Sequence, residues 1–481
     1  MSQDTESAAP ARQGDLTSPS AGAPLSGDLT QGPLFKTLVL FSLPVLLGNV
    51  LQSLNSSVNT IWIGRLLGED ALAATSSSNI VMFLVFAAIF GISMATTVNI
   101  GRHFGARDLP AMRSSFGAGL GLCLMLSVAI GVIGWLLAAP LLDLLDLPGS
   151  SRGFALDYLK VIFLILPAMT LTILVASAMR GCGDSKTPLY FQILTVVLDI
   201  ALNPLFIAGI GPFPKLGIVG AAVATAIATL AGLAGLLVWI YWRDLPLRLK
   251  GRELLLLWPR REEFMFLITK GVPMGFQMVV ISGAGVIMIR LINREGLNFA
   301  AGYGALLQLW NYLQMPALAI SAAVSAMVSQ HIGARREGRV DAISLAGIGA
   351  NLAITAVLTA VMLLLGRPLL GLFMGADSPA IPVALHIQSL AIWTYLPFGV
   401  MIVLFGTLRS YGVVFAQIGV LFFTMYGVRL GAYALLYPAV GSDALWYSLL
   451  LSSLGSMLLT MALYRYGSWR GLRGAPKAPA R

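Results

Sequence analysis

His103-Phe-Gly-Ala-Arg107 returns as His331-Ile-Gly-Ala-Arg335, 228 positions further along the chain. Other matches fall at nearly the same interval: Pro44 with Pro273, Leu166-Pro167 with Leu396-Pro397, and Met179-Arg180 with Leu408-Arg409, at offsets of 229, 230 and 229. Each is weak alone, because Leu, Pro, Gly and Ala are abundant. Four in one order, within two residues of one offset, mark an internal duplication.

Composition says what is duplicated. Of 481 residues, 57% are hydrophobic and only 11% are Asp, Glu, Lys or Arg, where a soluble domain carries about 25% charged residues. A soluble enzyme is therefore excluded. Apolar runs of about 20 residues alternate with short polar loops, the pattern of membrane-crossing helices. Twelve spans are expected near 35–62, 74–99, 116–139, 155–178, 189–210, 218–242, 267–290, 299–327, 344–366, 383–407, 415–437 and 445–466. The alternating ten-residue segments of a β-barrel are absent. The fold class is thus all-α and polytopic, with twelve transmembrane helices as two six-helix repeats. Six is even, so the repeats run parallel, related by a pseudo-two-fold along the membrane normal with a cavity between them. The expected division is a disordered tail at 1–33, an N-terminal lobe at 34–242, a basic linker at 243–266, a C-terminal lobe at 267–466 and a tail at 467–481. This is transporter architecture; a channel would show a filter loop or a repeated pore ring.

The net charge of +10 is topological. With both termini on one side, 23 of the 31 basic residues fall on that side, including Arg102, Arg107, Arg335, Arg336 and Arg409. That side is expected to be cytoplasmic, and nucleic-acid binding loses its support. Two cysteines and three histidines give neither a disulfide scaffold nor a metal site. No phosphate-binding loop appears, so the energy source is an ion gradient, a partner or the solute's own gradient. The expected partners are the lipid bilayer and a small organic solute, the expected state a monomer.

Polar residues inside the spans carry the functional signal. Asp199 is the only carboxylate in the middle of any span, eleven residues beyond Pro188. An ionised Asp there costs about 2.5–3.5 kcal/mol on insertion scales, and intramembrane acids mark ion pathways. Asn203 lies one turn on, on the same helical face. Pro204 deprives the Ile200 carbonyl of its helical partner, leaving it free to face a cavity, water or ion. The first span carries Asn49, Gln52, Asn55, Ser56 and Asn59 at steps near three and four, a polar stripe that serves either as a cavity lining or as interhelical glue. In the second half, Gln277, Gln308, Asn311 and Tyr312 mix amides with an aromatic ring, which suits a pocket for flat amphipathic solutes as well as it suits ordinary packing. Pro44 and Pro204 are the expected hinges. His386 reads as an interfacial anchor, and Arg429 as an arginine without a transport role.

The chain resembles the multidrug and toxic compound extrusion (MATE) transporters, nearest to their DinF-like branch. The resemblance rests on Asn59-Thr-Ile-Trp-Ile-Gly64, Ala71-Leu-Ala-Ala74, Arg180-Gly-Cys-Gly-Asp184 with Thr187-Pro188, Asn203-Pro-Leu-Phe-Ile207, Gly217 through Ala222, Gln330-His-Ile-Gly-Ala-Arg335 and Gly406-Thr-Leu-Arg409. It implies export of cationic or amphipathic drugs from the bacterial cytoplasm in exchange for H⁺ or Na⁺, a cation site in the N-terminal lobe, and no cofactor. Two departures stand out. The family commonly has Asp where this chain has Asn59, and Asn then Asp where this chain has Asp199 and Asn203. The acids of some relatives' C-terminal lobes are missing too, with Ile281 at one such place. A lone carboxylate favours H⁺ over Na⁺, which prefers several charged oxygens. The coupling site expected is Asp199, Asn203, Asn59 and Asn55, and the substrate contacts are Gln52, Gln277, Gln308, Asn311 and Tyr312. The alternatives are a Na⁺-coupled antiporter, a flippase for lipid-linked precursors and a non-transporting scaffold or receptor.

Overall fold

In hydrocarbon a backbone has to satisfy its N–H and C=O groups within its own segment, and the apolar runs accordingly fold as helices. The computed structural model describes residues 27–144, 149–375 and 377–472. The first lobe contains α1 (Leu34–Leu67), α2 (Glu69–Gly105), α3 (Leu109–Leu144), α4 (Gly149–Gly181), α5 (Lys186–Ala208) and α6 (Ile218–Trp242). The second contains α7 (Arg261–Arg294), α8 (Leu297–Gly333), α9 (Val340–Leu364) and α10 (Ala380–Ser410), then the 52-residue stretch Phe415–Tyr466. That stretch folds back on itself at Gly441–Asp443 and so provides two spans, α11 up to Val440 and α12 (Ala444–Tyr466). Twelve membrane helices result among the described residues.

Prolines act where the sequence places them without ending helices. Pro44, Pro167 and Pro204 lie inside α1, α4 and α5. In α10 the Trp393 carbonyl would need the N–H that Pro397 lacks, and the helix tightens into a 3₁₀ turn at Ile392–Thr394. The linker is more structured than a loop. A 3₁₀ turn at Gly251–Leu257 docks on α3, where Gly117 and Gly121 leave room for the backbone of Leu256 and Leu257. Arg113 of α3 meets Glu253 at 2.8 Å.

Both described ends of the chain lie at one end of the bundle, called basal here. Trp469 is buried between Tyr411 and Tyr464, with ring centroids 4.8 and 5.2 Å away. Residues 27–33, expected to belong to a disordered tail, instead form a strap across the basal end, with Leu29 and Thr30 buried. The reason is backbone pairing: the Leu29 N–H donates to Gln330 Oε1 at 2.8 Å, and Arg336 donates to the Thr30 carbonyl at 3.3 Å. Around Asp28, burial opposes the charge, but hydrogen bonds from Thr30 and Gln31 and the nearby Arg107 hold the carboxyl below its ordinary range. The remainder of the expected N-terminal tail and residues 473–481 lie outside the described residues.

The lobes touch at the basal end. One apolar cluster joins Leu29, Leu38, Phe41 and Val45 to Ala323, Met327 and Phe405 of the second lobe. Another joins Ile92 and Ala95 of α2 to Leu267 and Met274 of α7. The clusters toward the distal end stay within single lobes, one around Ile89, Leu159 and Ile218, the other around Leu306, Trp310 and Trp446. Polar contacts follow suit. Glu263 at the start of α7 accepts from Asn99 of α2 and Ser115 of α3, each at 3.0 Å.

The α2–α7 crossing depends on Gly91, whose Cβ position lies 2.1 Å from the Gly271 carbonyl oxygen and 2.4 Å from the Gly275 nitrogen. Gly91→Ala should therefore push the helices apart and destabilise the closed lobes by about 1–3 kcal/mol. Gly349→Ala on α9, with open space around the new methyl, should be neutral or gain up to about 1 kcal/mol. Thermal unfolding in detergent compares them, and equal shifts would contradict this picture of the crossing.

Candidate functional site

Asp199 lies in α5 nine residues before the helix end, and only 1% of it is exposed. Such a charge survives burial only when donors surround it. Four do. Oδ2 accepts from Asn55 Nδ2 at 2.7 Å and from Asn59 Nδ2 at 2.8 Å, both on α1. Oδ1 accepts from Asn203 Nδ2 at 3.0 Å and from Thr225 Oγ1 of α6 at 3.0 Å. All four bonds are donated to the carboxylate, which is the arrangement of its ionised form. The periodicity of α1 explains the convergence, since positions 55 and 59 are one turn apart on the face toward α5.

Asn203 closes the cluster. Its Nδ2 also faces Asn59 Oδ1 at 3.0 Å and the Asp199 carbonyl at 2.8 Å. The free carbonyl expected at Ile200 is thus not the one the side chain reaches; the amide turns back to the residue before it. Two oxygens, Asn55 Oδ1 and Asn203 Oδ1, are buried without a partner. They add acceptor capacity beside the carboxylate.

The structure brings the four expected coupling residues together and adds Thr225. Sequence reading missed that threonine because one hydroxyl among Ala222, Ala224, Ala226 and Ala228 looks like a small-residue packing stripe. Pro44 is buried in α1, and Pro204 lies directly beyond Asn203.

The expected substrate contacts separate into two groups. Gln52 is exposed, seven residues on from Val45, and so continues the α1 face that packs on the second lobe below it. Gln308 and Asn311 are exposed and lie eighteen residues, five turns, before Ala326 and Ser329, which meet Gly101 of α2. Gln308 and Asn311 thus face the opening between the lobes above their closure, and Gln52, at its α1 edge, also accepts from Gln192 Nε2 of α5 at 3.4 Å. Gln314 donates to Asn311 Oδ1 at 3.0 Å, and Tyr312 is half-buried beside them. Gln277 does not join this group. Its amide is engaged within the second lobe, donating to Gln417 Oε1 at 3.0 Å, and Gln417 is itself fully buried. Trp310 is a core residue, with ring contacts to Tyr303 and Tyr395. His386 pairs with Asp443 at 2.8 Å between the distal starts of α10 and α12. Two surface cavities of about 650 and 490 Å³ border the basal strap, away from Asp199.

Two parallel six-helix lobes, sharing apolar clusters at the basal end and keeping separate ones toward the distal end, make the fold of a membrane transporter. The MatE family profile matches residues 44–205 and again 273–432, two copies whose starts are 229 residues apart. The chain belongs to the MatE family. It is 32% identical to the probable multidrug resistance protein YoeA of Bacillus subtilis over 90% of this chain and 94% of that one. It is 26% identical to a FAD transporter of Shewanella oneidensis over 80% and 84% of the two chains. Its fold matches an outward-facing conformation of a multidrug resistance MATE family transporter with a TM-score of 0.82, at 21% identity, over 93% of this chain and 98% of that one.

Asn59 links Asp199 to Asn203, so its loss should cost more than one ordinary bond. Asn59→Leu should destabilise the protein by about 1–3 kcal/mol, and by clearly less in an Asp199→Leu background, where no carboxylate is left in need of a donor. A double-mutant cycle on detergent unfolding reads the coupling; additive effects would mean that the amide and the carboxylate do not depend on each other.

Proposed function

We propose that this protein exports cationic or amphipathic organic compounds in exchange for protons, by alternating access of two lobes at 34–242 and 267–466. It would do so as a monomer in the bacterial cytoplasmic membrane, with both termini inside. Drug export is supported by the family and by relatives named as multidrug resistance proteins. The orientation is supported by the basic residues gathered at the basal end. With the basal end cytoplasmic, the basal closure makes this an outward-facing arrangement.

The observation that carries proton exchange is the four-donor cage on Asp199. Hydrogen bonds to an ionised acceptor are about twice as strong as neutral ones. Two of the four tie α1 to α5 and a third ties α6 to α5. A proton arriving from outside neutralises the carboxylate and weakens all of them together. Thr225 can then turn from donor to acceptor, whereas the Asn55 and Asn59 amides have lost the charge that oriented them. α1 is released to bend or repack, and its face continues through Gln52 into the opening that Gln308, Asn311 and Tyr312 line from the other side. Proton uptake is thereby linked to the shape of the solute path, and a solute that needs the unreleased α1 competes with the proton.

A second reading is Na⁺ exchange. The partnerless oxygens of Asn55 and Asn203 favour it, because with Asp199 they offer a small cation several oxygens at one place.

Efflux of a cationic dye in inverted vesicles separates the two. A pH gradient alone should drive transport, a Na⁺ gradient alone should not, and Asp199→Asn should lower pH-driven efflux at least about tenfold. Full pH-driven efflux in Asp199→Asn would remove that residue from the mechanism, and efflux driven only by Na⁺ would favour the second reading.

A further inference from the structure

The repeated pentapeptide that reveals the duplication has no part in the Asp199 site. At the basal end its two copies lie against each other. Gly105 of the first copy has its Cβ position 2.0 Å from the Gln330 carbonyl oxygen, and Gly333 of the second has its own 1.9 Å from the Arg102 carbonyl oxygen. Any side chain at either position would hold the lobes apart. The helix ends also share one conformation, with Arg107 at φ 58° and Arg335 at φ 55°, each following a turn back onto its own helix.

The residue before the histidine in each copy crosses to the opposite lobe. Arg102, at the end of α2, donates from Nε to the Ser410 carbonyl at 3.0 Å, and its Nη2 reaches the same oxygen. Gln330, at the end of α8, donates from Nε2 to the Gly181 carbonyl at 3.0 Å. Ser410 follows Arg409 at the end of α10, and Gly181 follows Arg180 at the end of α4, so acceptors and donors alike are related by the repeat. One contact is the pseudo-two-fold image of the other. The symmetry is broken by the choice of Arg against Gln and by the strap, since Gln330 Oε1 also accepts the Leu29 N–H and its Nε2 reaches the Gly27 carbonyl at 3.4 Å.

We propose that the two copies form a reciprocal clasp, Arg102 on the Ser410 carbonyl and Gln330 on the Gly181 carbonyl, and that these two residues gate the basal end. Opening that end separates each donor from its acceptor and exposes two helix-end carbonyls. The clasp therefore sets how far the protein favours the basal-closed state. On the Gln330 side the strap leaves with it, so residues 27–33 are part of the same latch. The proposal rests on the alternating-access reading, and it is independent of the ion that drives it.

The test uses spin labels at Pro110→Cys and Gly338→Cys, exposed basal positions on opposite lobes, with Cys123 and Cys182 replaced by alanine. Pulsed electron resonance reads their distance in the full-length protein. Arg102→Ala and Gln330→Ala should each enrich a longer basal distance roughly tenfold over the parent, the ratio that the loss of a charge-assisted or multiply shared hydrogen bond produces. Arg102→Lys, which keeps one charged donor, should move less. If an alanine variant does not fold, Gln330→Glu serves, because it keeps an acceptor for Leu29 but loses the donor to Gly181, and it should open the basal end as well. Distances unchanged in both alanine variants, or changed in only one, would overturn the reciprocal clasp. The readout needs no drug and no ion gradient, so an error in the coupling ion leaves it intact. A single unmoving distance in the parent and every variant would instead count against lobe rocking and the clasp together.

Discussion

A carboxylate 1% exposed inside a membrane helix imposes its terms on everything nearby. Ionised, it needs donors at both oxygens; neutral, it needs fewer and holds them less firmly. The protein meets the first condition with amides and a hydroxyl, never with a cation. An arginine or lysine partner would set a fixed opposite charge beside Asp199, whereas these donors stabilise it by hydrogen bonds alone. The choice of asparagine over a basic residue at 55, 59 and 203 leaves the carboxylate without a fixed countercharge at those positions, as the proposed proton exchange requires. It also explains how the charge can stand at 199, although the family resemblance places acids at the positions of Asn59 and Asn203. The side chains at 59, 199 and 203 touch one another, so moving the carboxylate among them keeps the same neighbours.

The second constraint is geometric. Lobes that part and rejoin, as the proposed alternating access requires, cannot rely on interdigitated side chains across their whole interface. Here the closure adds small residues and backbone contacts to the two shared apolar clusters. Gly91, Gly105 and Gly333 let helices approach to carbonyl distance, and Arg102 and Gln330 reach carbonyls at helix ends. Such contacts form and break without repacking a core. The distal clusters around Leu159 and Trp310 remain within their lobes, so each lobe can move as one body. Asp199 sits among α1, α5 and α6 of a single lobe, and its influence on the interface runs through α1, which belongs both to the site and to the shared basal cluster.

Much of the architecture was legible because the membrane leaves a short list of solutions. Apolar runs of the right length have to be helices, and the matches at Pro44, His103 and Arg180 gave the duplication before any coordinate. Asp199, Asn203, Asn55 and Asn59 were legible for a related reason, since polar groups in a span need partners and helical spacing limits which. What was hidden lacked a side-chain signature. Thr225 is one hydroxyl in an alanine run. The strap at 27–33 is held by the Leu29 N–H and the Thr30 carbonyl, groups every residue has. Gln277 looked like Gln308 on paper, yet Gln417, 140 residues away, engages it. The clasp depends on carbonyls of Ser410 and Gly181, invisible in the sequence even though the repeat pointed to their neighbours.

The central claim is that one acid exchanges a proton for a solute. Calorimetry of the purified protein binding a cationic dye, repeated in buffers of different ionisation enthalpy, counts protons released on binding. At a pH low enough to protonate the dye-free site, the account predicts about one proton released per dye bound by the parent protein, and none when Asp199 is replaced by asparagine. Binding heats that do not depend on the buffer in the parent protein, or a proton still released without Asp199, would contradict it.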